Sequence, residues 1–425
     1  MRTRNPEFKP SVIIACLAVM LSIGIVYLWS VFQQPVIDHY GWEPSAVSMI
    51  SSAMIFMYVL GSLIGGFIQD HLSPRFVIIT GAALFFVGLF STSLLGPRYP
   101  WLIYITYGAV AGSGVGFAYS AALSCIQKWL PHRRGFATGI SVCAFGLSAV
   151  VFAPLIEWLL KLPAFAGNNV PMTFRTLACT FSVIIALAGF FVKNPCQNYL
   201  DSLNLPKAQV RQRQYAPREA VKTVEFWSLA LSLFFLPAAY MIIIPLVKTL
   251  AIARGISEMQ ATLTVSLTGI ASAASRLISS TASDKIGRAK TIWILSLLTA
   301  ISALLMIFAK GWLYTVVVLL IVAGYSGPAG IFPAMSTDSF GTKYSGTNYG
   351  MAFMFLGTSS LVFTKLSTVI NADGAVTGDY TMSFIIAAVG CIVPLVMLPL
   401  YDVAKKKRVP RDMALLAAEE KTAQQ

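Results

Sequence analysis

Apolar segments of about 20 residues recur along the whole chain, and this pattern limits the possible folds more than any other feature. Each segment is long enough to cross a hydrocarbon layer of about 30 Å. A soluble chain in which 56% of the 425 residues are hydrophobic and only 11% are charged would have too little polar surface to face water. We therefore predict an all-α membrane protein with twelve transmembrane helices. The predicted spans are residues 11–36, 45–69, 76–96, 101–129, 136–160, 172–193, 226–250, 260–282, 291–309, 313–337, 348–370 and 380–401.

The formal net charge of +14 is spread over short loops and the tail, which argues against a nucleic-acid partner. With twelve spans, most Lys and Arg residues fall on the side of the bilayer that holds both ends of the chain. The opposite loops offer little beyond Arg98, Lys161, Arg254 and Lys310. The positive-inside rule therefore predicts that both termini are cytoplasmic.

The first apolar stretch is expected to be helix 1 and not a signal peptide, because further spans follow at once. The cysteines show neither metal nor disulfide spacing, so we predict no metal site and no cofactor. The expected outer loops lack Asn-x-Ser/Thr sequences, so a bacterial inner membrane is the default location.

The longest polar segment, residues 194–225, divides the chain into a first bundle (1–193) and a second bundle (226–402), with a tail at 403–425. Its prolines and basic residues predict a cytoplasmic linker, and the tail is expected to lie on the membrane surface. The two bundles look like copies of one unit. Asp70 aligns with Asp284 at an offset of 214 residues, and Gly139 and Gly146 align with Gly350 and Gly357 at an offset of 211. Repeats that meet at a central cavity are the architecture of alternating-access transporters.

The segments at Asp70 and Asp284 resemble the two copies of the loop motif of the major facilitator superfamily, Gly-x-x-x-Asp-(Arg/Lys)-x-Gly-(Arg/Lys). The second copy, Asp284-Lys285-Ile286-Gly287-Arg288, is close. The first departs from it, with His71 at the basic position and Ser73 in place of the glycine. The resemblance implies a tight turn in which a carboxylate lies near a helix N-terminus. The residues assigned to such gating are Asp70, Arg75, Asp284, Lys285, Arg288, Arg133 and Arg134; a plain solvated turn is the alternative.

Two further stretches are similar to a narrower group, the bacterial oxalate:formate antiporters and the monocarboxylate transporters. One is Trp129-Leu-Pro-His-Arg133-Arg134-Gly-Phe-Ala-Thr-Gly139. The other contains Phe332-Pro333, Asp338-x-Phe340-Gly341 and Tyr344-Ser345-x-x-Asn348-Tyr349-Gly350. The likeness covers nearly the whole chain, and the second stretch is its most specific part.

Arg276 is the residue that most restricts the substrate class. It lies in predicted helix 8, two turns before Asp284, so about 12 Å from the helix end. An unpaired guanidinium there costs at least about 2.5 kcal/mol, and its planar fork matches a carboxylate. The resemblance also places the substrate-binding arginine of the group at this position. The alternative is a structural arginine that snorkels or caps helix carbonyls.

Two departures from the group refine this interpretation. Ser272 stands where proton-coupled monocarboxylate transporters often have an aspartate, which favours anion exchange or facilitated diffusion over proton symport. Leu356 stands where the oxalate transporter has a lysine, and Lys365 lies further towards the outer mouth. A site with one deep cation suits a monoanion, so we predict lactate, pyruvate, acetate or formate ahead of oxalate.

Aromatic residues are expected to wall the cavity, and the resemblance selects Tyr119 and Tyr325, then Tyr27 and last Trp29. For each of them, packing or an interface belt is an equal alternative. The predicted partners are therefore a small carboxylate anion, a co-transported proton or counter-anion, and the lipid bilayer. The alternatives in function are a dicarboxylate or other organic anion antiporter and a non-transporting sensor on the same scaffold. An enzyme is not expected, since no nucleophile–base pair, metal cluster or phosphate loop stands out.

Overall fold

The structure is a computed structural model, and it describes residues 9–165, 167–203, 213–243, 247–370 and 380–423. Within these residues, ten helices are long and apolar enough to cross a membrane, and the bent first helix makes an eleventh. The remaining predicted span is a continuous helix of 26 residues, about 39 Å long. The prediction of an all-α protein with twelve membrane helices is confirmed.

The first helix, α1 (Pro10–Tyr40), bends by 47°. The bend lies between Val26 and Val31. Just before it, the missing side chain of Gly24 allows the backbone to lie against the carbonyl of Phe145. The first half consists of α1 (Pro10–Ile23, a 3₁₀ turn Gly24–Leu28, then Trp29–Tyr40), α2 (Pro44–His71), α3 (Pro74–Thr92), α4 (a π-helical part Tyr104–Ala111, then Gly112–Trp129), α5 (Arg134–Leu160) and α6 (Asn169–Phe191).

Helix α7 is broken, unlike the continuous span predicted for residues 226–250. The first break lies at Pro237, which has no N–H for the helical ladder. The second half consists of α7 (Val224–Phe235, Ala238–Ile243 and Val247–Ala253), α8 (Glu258–Ile286), α9 (Arg288–Met306), α10 (Gly311–Phe340), α11 (Ser345–Ile370) and α12 (Thr381–Gly390, then Ile392–Ala423).

Helix α12 extends well beyond the predicted end at residue 401 and continues to Ala423. The run of lysines after Asp402 ends the apolar span, but it does not end the helix. Lysine, alanine, leucine and glutamate all favour helical backbone, so the tail continues α12 out of the membrane.

The same helix pairs recur in the two halves. Helix α2 packs on α4 and α3 packs on α4 and α6, while α8 packs on α10 and α9 packs on α10 and α12. Helices α4, α7 and α10 are the most buried, with 83%, 67% and 72% of their apolar windows inside the protein. These three helices therefore lie at the centre, and the sequence repeat corresponds to a structural one.

Because the helices alternate in direction, the turns after α2, α4, α8 and α10 lie at one end of the bundle together with the linker. We call this end the linker side and the opposite end the far side. The start of the linker is attached to the first half, since the Tyr199 hydroxyl donates to the Trp129 carbonyl at 3.2 Å. Its last part is attached to the second half, where the Tyr215 amide donates to the Phe340 carbonyl at 2.9 Å.

The tail helix packs on this last part of the linker. Arg408 pairs with the buried Glu225 at 2.9 Å and lies over the ring of Tyr215 at 4.5 Å. The Tyr215 hydroxyl donates to the Asp412 carboxylate at 2.7 Å. Burial and this hydrogen bond raise the pKa of Tyr215 to about 12, so the phenol stays a donor at neutral pH. The segment expected on the membrane surface is thus held to the second half through Asp412.

Candidate functional site

Two equivalent helix pairs join the halves: α2 with α11, and α5 with α8. Glycines allow these helices to approach closely. A Cβ atom on Gly66 would lie 2.5 Å from the Gly346 carbonyl oxygen. The contacts between the halves begin on the linker side and extend towards the far side. They reach Val59 and Gly357 on the α2–α11 pair, and Val150 and Gly269 on the α5–α8 pair. The two halves are therefore packed together over the part of the interface that lies nearest the linker.

A carboxylate from each half caps a helix of the other half. The Asp284 oxygens accept from the amides of Gly135 and Phe136 at the start of α5, each at 3.0 Å. Asp70 accepts from the amides of Gly346 and Thr347 at the start of α11, at 3.2 and 2.8 Å. These amides are unpaired at a helix start and carry its positive dipole, so each cap is a charge-assisted contact between halves.

The departure of the first loop motif from the family pattern has a local explanation. In the second copy, Gly287 adopts φ of 103°, a backbone conformation that favours glycine. In the first copy, the equivalent Ser73 has an extended backbone with φ of −89°, and its hydroxyl accepts from the Phe76 amide as the N-cap of α3. The two turns therefore use different caps to reach the same end, a carboxylate aimed at the opposite half.

Asp338 at the end of α10 links the charged residues of this region. It accepts from Arg134 of the first half at 2.9 Å and from Arg288 of its own half at 3.0 Å. Arg288 also contacts Asp284 at 2.6 Å. Asp338 belongs to one of the motifs shared with the transporter group, but the sequence assigned it no role. Its signal was present, since a carboxylate that ends a span can neutralise one of the arginines at the start of α5.

The remaining predicted gating residues lie outside this network of contacts. Arg75 donates to the Phe190 carbonyl of its own half at 2.5 Å. Arg133 and Lys285 are exposed on the linker side. The structure thus brings together Asp70, Asp284, Arg288 and Arg134 at the interface, and it does not bring Arg75, Arg133 or Lys285 to it.

A layer of neutral polar side chains lies deeper between the halves. The hydroxyls of Ser124 in α4 and Ser345 in α11 are 3.0 Å apart, and the Thr337 hydroxyl of α10 donates to the Gln127 amide oxygen at 2.7 Å. They line a cavity of about 10 Å³, room for about one water molecule. We call the two caps, the Asp338 ion pairs and this layer the linker-side gate.

Arg276 lies in the α5–α8 interface, where it is 2% exposed. Its Nη1 donates to the Val142 carbonyl of α5 at 2.9 Å, so the guanidinium reaches across to the other half. A Cβ atom on Gly146 would be 2.5 Å from this nitrogen. Within α8, the Ser272 hydroxyl lies 2.8 Å from that of Ser326 in α10.

Tyr119 and Tyr325 lie at about the same depth as Arg276. Tyr119, 3% exposed, stacks on Phe353 with ring centroids 5.9 Å apart and also contacts Phe145 at 5.4 Å. Phe145 is within one turn of Val142, the acceptor for Arg276. Tyr325 is next to Ser326 and stacks on Tyr240 of α7 at 4.2 Å. The arginine and both tyrosines therefore lie at a similar depth, with Tyr119 against the opposite half and Tyr325 against a helix of its own half.

Trp29 belongs to the core of the first half. Its indole donates to the Val47 carbonyl at 3.0 Å, and its ring lies 4.9 Å from that of Tyr107. This placement favours packing over ligand contact for Trp29. The side chain of Tyr27 falls outside the part of the chain that the structure describes.

The position at which the oxalate transporter has a lysine is apolar in this chain, as the sequence indicates. Leu356 is 5% exposed, and Lys365 is an exposed residue nine positions further along α11. Among the described residues, no group of three or more His, Cys, Asp and Glu side chains could hold a metal ion. Arg276 is thus the deepest cation that the described part of this layer contains.

A second, larger cavity of about 640 Å³ lies on the far side within the first half, between the ends of α1, α5 and α6. Its polar lining comprises Asp38, His39, Glu157 and Lys161. These side chains belong to one half only, so this cavity is separate from the interface that carries Arg276.

The chain matches the sequence profile of the Major Facilitator Superfamily over residues 14–364 and 229–418. The chain is 26% identical to the oxalate:formate antiporter of Oxalobacter formigenes over 96% of this chain and 94% of that protein. It is also 26% identical to monocarboxylate transporter 13 of Rattus norvegicus, over 86% and 82% of the two chains. The apicoplast pyruvate carrier 1 of Toxoplasma gondii is 25% identical, over 79% and 73%.

Solved structures show the same fold. The transporter FucP in the outward conformation superimposes with a TM-score of 0.71 at 15% identity, covering 92% of this chain and 98% of that one. The human organic anion transporter MFSD10 gives a TM-score of 0.67 at 13% identity, covering 92% and 99%.

Proposed function

The chain belongs to the Major Facilitator Superfamily, and from that premise we propose that it carries small monocarboxylate anions across a membrane by alternating access. Arg276 binds the carboxylate, and Tyr119 and Tyr325 supply the walls of the site. The substrates are of the lactate, pyruvate, acetate and formate class. Relatives named for formate, monocarboxylates and pyruvate support this class.

The observation that carries the proposal is the burial of Arg276 at the interface between the halves. A guanidinium at this depth needs acceptors, and one of them is a carbonyl of the opposite half. A carboxylate offers two oxygens in the geometry of the guanidinium fork, and such charge-assisted bonds are about twice as strong as neutral ones. The substrate anion therefore competes well for this group.

In the proposed cycle, this arrangement is the state in which the linker-side gate is closed. Opening of this gate requires the release of both caps and of the Asp338–Arg134 pair, since these contacts join the two halves. Asp70, Asp284, Arg288 and Arg134 are the gating residues we propose. Because most basic residues lie on the linker side, we place this side in the cytoplasm, with both termini there, and we propose a bacterial inner membrane.

We propose anion exchange or facilitated diffusion as the mode of transport. Ser272, at the position where the proton-coupled members of the group carry an acid, bonds Ser326 and carries no charge that a proton could neutralise. A second candidate is oxalate–formate exchange, which the relative from Oxalobacter favours because it matches over almost the whole length of both chains. The buried Leu356 argues against a dianion, since it leaves the second carboxylate without a cation.

Purified protein in proteoliposomes tests these proposals. Uptake of labelled lactate, formate and oxalate is measured with and without internal anion, for the wild type and for Arg276→Ala. We expect the variant to lose at least about tenfold in uptake, as one charge-assisted hydrogen bond alone accounts for about that factor. Arg254→Ala is the control, since Arg254 bonds carbonyls of its own half on the far side. Unchanged transport by Arg276→Ala would refute the site.

A further inference from the structure

We infer that Lys9, Arg75 and Lys193 form a binding site for the headgroup of an anionic phospholipid, at the linker-side edge of the first half. The three side chains come from the start of α1, the start of α3 and the chain just after the end of α6. All three belong to one half, so this site is separate from the interface that carries Arg276. The inference therefore does not depend on the transported substrate.

The ends of three neighbouring helices bring these bases together. Helix α6 packs on both α1 and α3, and it ends on the side of the bundle where those two helices begin. The Arg75 guanidinium donates to the Phe190 carbonyl in the last turn of α6 at 2.5 Å. The Lys193 carbonyl accepts from the Trp129 indole at 2.7 Å. These bonds fix Arg75 and the backbone of Lys193 beside each other at the end of α6.

The three charges have the same sign and lie close together. Lys193 lies beyond the end of α6, and its ammonium is within hydrogen-bonding range of the Lys9 ammonium. Repulsion from Lys9, and to a lesser degree from Arg75, lowers the pKa of Lys193. Among the described residues, no carboxylate pairs with any of the three bases. An anion bound between them would replace this repulsion by attraction.

The neighbouring apolar side chains indicate which anion is within reach. Ile14, Phe76 and Phe191 are exposed, and each lies within five positions of one of the three bases. Exposed apolar side chains on membrane helices face the hydrocarbon layer, so the bases lie at its border, at the level of the lipid phosphates. A bound lipid would place its acyl chains along these side chains and its phosphate among the three cations.

The corresponding place in the second half is built differently. By the repeat, α7, α9 and α12 take the positions of α1, α3 and α6. At their linker-side ends, Arg408 of α12 pairs with Glu225 of α7 at 2.9 Å, and Arg288 of α9 pairs with Asp338 at 3.0 Å. The second half thus supplies its own carboxylates at this place. In the first half, we assign that role to a lipid phosphate.

Native mass spectrometry of the full chain in detergent tests this site. Phosphatidylglycerol, phosphatidylcholine or inorganic phosphate is titrated in, and the dissociation constant of the first bound molecule is measured. We expect phosphatidylglycerol to bind several-fold more tightly than phosphatidylcholine, whose choline group repels the bases. Inorganic phosphate should bind most weakly, because it lacks the acyl chains that contact the apolar border. Raised salt should weaken the binding of phosphatidylglycerol, since exposed charges are screened.

Variants of the three bases locate the binding. Each base near a lipid phosphate contributes about fivefold in affinity, so Lys9→Gln/Arg75→Gln/Lys193→Gln should bind phosphatidylglycerol about a hundredfold more weakly. Lys193→Arg keeps the charge and should stay within about threefold of the wild type.

The matched control, Arg218→Gln/Lys222→Gln/Lys290→Gln, removes three exposed bases from the linker side of the second half. It should bind phosphatidylglycerol as the wild type does. An equal loss in the two triple variants would show that the lipid responds to total charge, and it would overturn the site. Binding of inorganic phosphate as tight as that of phosphatidylglycerol would overturn the assignment to a lipid.

Photo-cross-linking gives a local measurement that does not depend on lipids bound elsewhere. With p-benzoylphenylalanine in place of Phe76, irradiation in liposomes that contain phosphatidylglycerol should attach this lipid beside Arg75. We expect the yield to fall by at least about tenfold when Lys9→Gln and Lys193→Gln are added, since two bases are lost. An unchanged yield in the folded variant would contradict the inference. Neither experiment involves transport, so failure here leaves the proposed role of Arg276 untouched.

Discussion

Asp338 accepts from two arginines that belong to different halves, Arg134 in α5 and Arg288 in α9. The Arg134 side chain is 7% exposed, while that of Asp338 keeps 25%. A carboxylate that serves two such partners contributes more than a surface ion pair, because its removal leaves two guanidinium groups without this acceptor. Asp338 therefore makes a larger contribution to the proposed gate than an exposed ion pair would.

We expect Asp338→Asn to destabilise the gate-closed state by about 2–3 kcal/mol, below the full value for a buried pair because Asp338 is partly exposed. The melting temperature should fall, and a cysteine that replaces Ser345 in the gate should react faster with a permeant maleimide. Glu258→Gln is the control, since its ion pair with Lys248 has the same 2.9 Å distance but lies exposed on the far side. If Asp338→Asn and Glu258→Gln lowered the melting temperature equally, the Asp338 ion pairs would contribute no more stability than an exposed pair.

The proposed preference for a monoanion rests on Leu356. A lysine at this position would put a second cation in the layer of α11 that faces the centre, where the leucine is now buried. We expect Leu356→Lys to weaken lactate uptake and to strengthen inhibition by oxalate by about tenfold, since a second carboxylate then gains a charged partner. Uptake of labelled lactate, measured with and without added oxalate, reports both the loss of lactate transport and the strength of oxalate inhibition. Thr358→Lys, at an exposed position two residues away, should leave the preference unchanged.

The two carboxylate caps act on whole helices. Asp284 neutralises the positive end of α5 and Asp70 that of α11, and each cap joins the halves at one of the two equivalent helix pairs. A charge near the first turn of a helix contributes about 0.3–2 kcal/mol, the upper value in partly buried geometry. The two caps lie on different helix pairs, so their effects should be close to additive.

We expect Asp70→Asn and Asp284→Asn each to weaken the closed gate by about 1 kcal/mol, because the amide keeps one acceptor but loses the charge. The double variant should lose about twice this amount. Maleimide labelling of a cysteine at Ser124 measures the opening of the gate. Asp38→Asn, whose carboxylate bonds Gln34 on the far side, is the control. A double variant no more open than either single one would contradict independent caps.

At the scale of the helices, the sequence was informative where the signal was apolar or repeated. Twelve spans, the duplication and the caps of Asp70 and Asp284 all follow from local patterns. The break of α7 and the length of α12 do not follow from such patterns. Hydropathy indicates where a span leaves the bilayer, but not where the helical backbone is interrupted or ends. The role of Asp338 also escaped, because a carboxylate at the end of a span indicates a basic partner but does not select Arg134, which lies 204 positions away.

For the whole molecule, the interface between the halves determines function. The two halves have the same helix pairs, but their contributions at the centre differ: Arg276 has Ser62 as its counterpart in the first half, at the offset of 214 residues. In the proposed mechanism the repeat provides two bodies that rock against each other, and the arginine of one body contacts a carbonyl of the other. The sequence predicted a buried arginine at this position, but its contact with the Val142 carbonyl of α5 required the structure.

If transport depends on separation of the halves at the linker-side gate, a covalent link across this gate should stop it. The Ser124 and Ser345 hydroxyl oxygens are 3.0 Å apart and belong to different halves. We expect a Ser124→Cys/Ser345→Cys variant to lose lactate exchange when oxidised and to recover it after reduction, because the disulfide keeps α4 and α11 together.

The matched control joins two helices of the same half. The Thr264 and Thr315 hydroxyl oxygens, in α8 and α10, are 2.8 Å apart. Thr264→Cys/Thr315→Cys should keep its exchange activity in both redox states, since rocking of the halves leaves the second half internally unchanged. If the oxidised gate variant transports normally although mass spectrometry shows its disulfide, the gate does not open by separation of α4 and α11. If the control loses activity equally, motion within the second half, and not between the halves, limits transport.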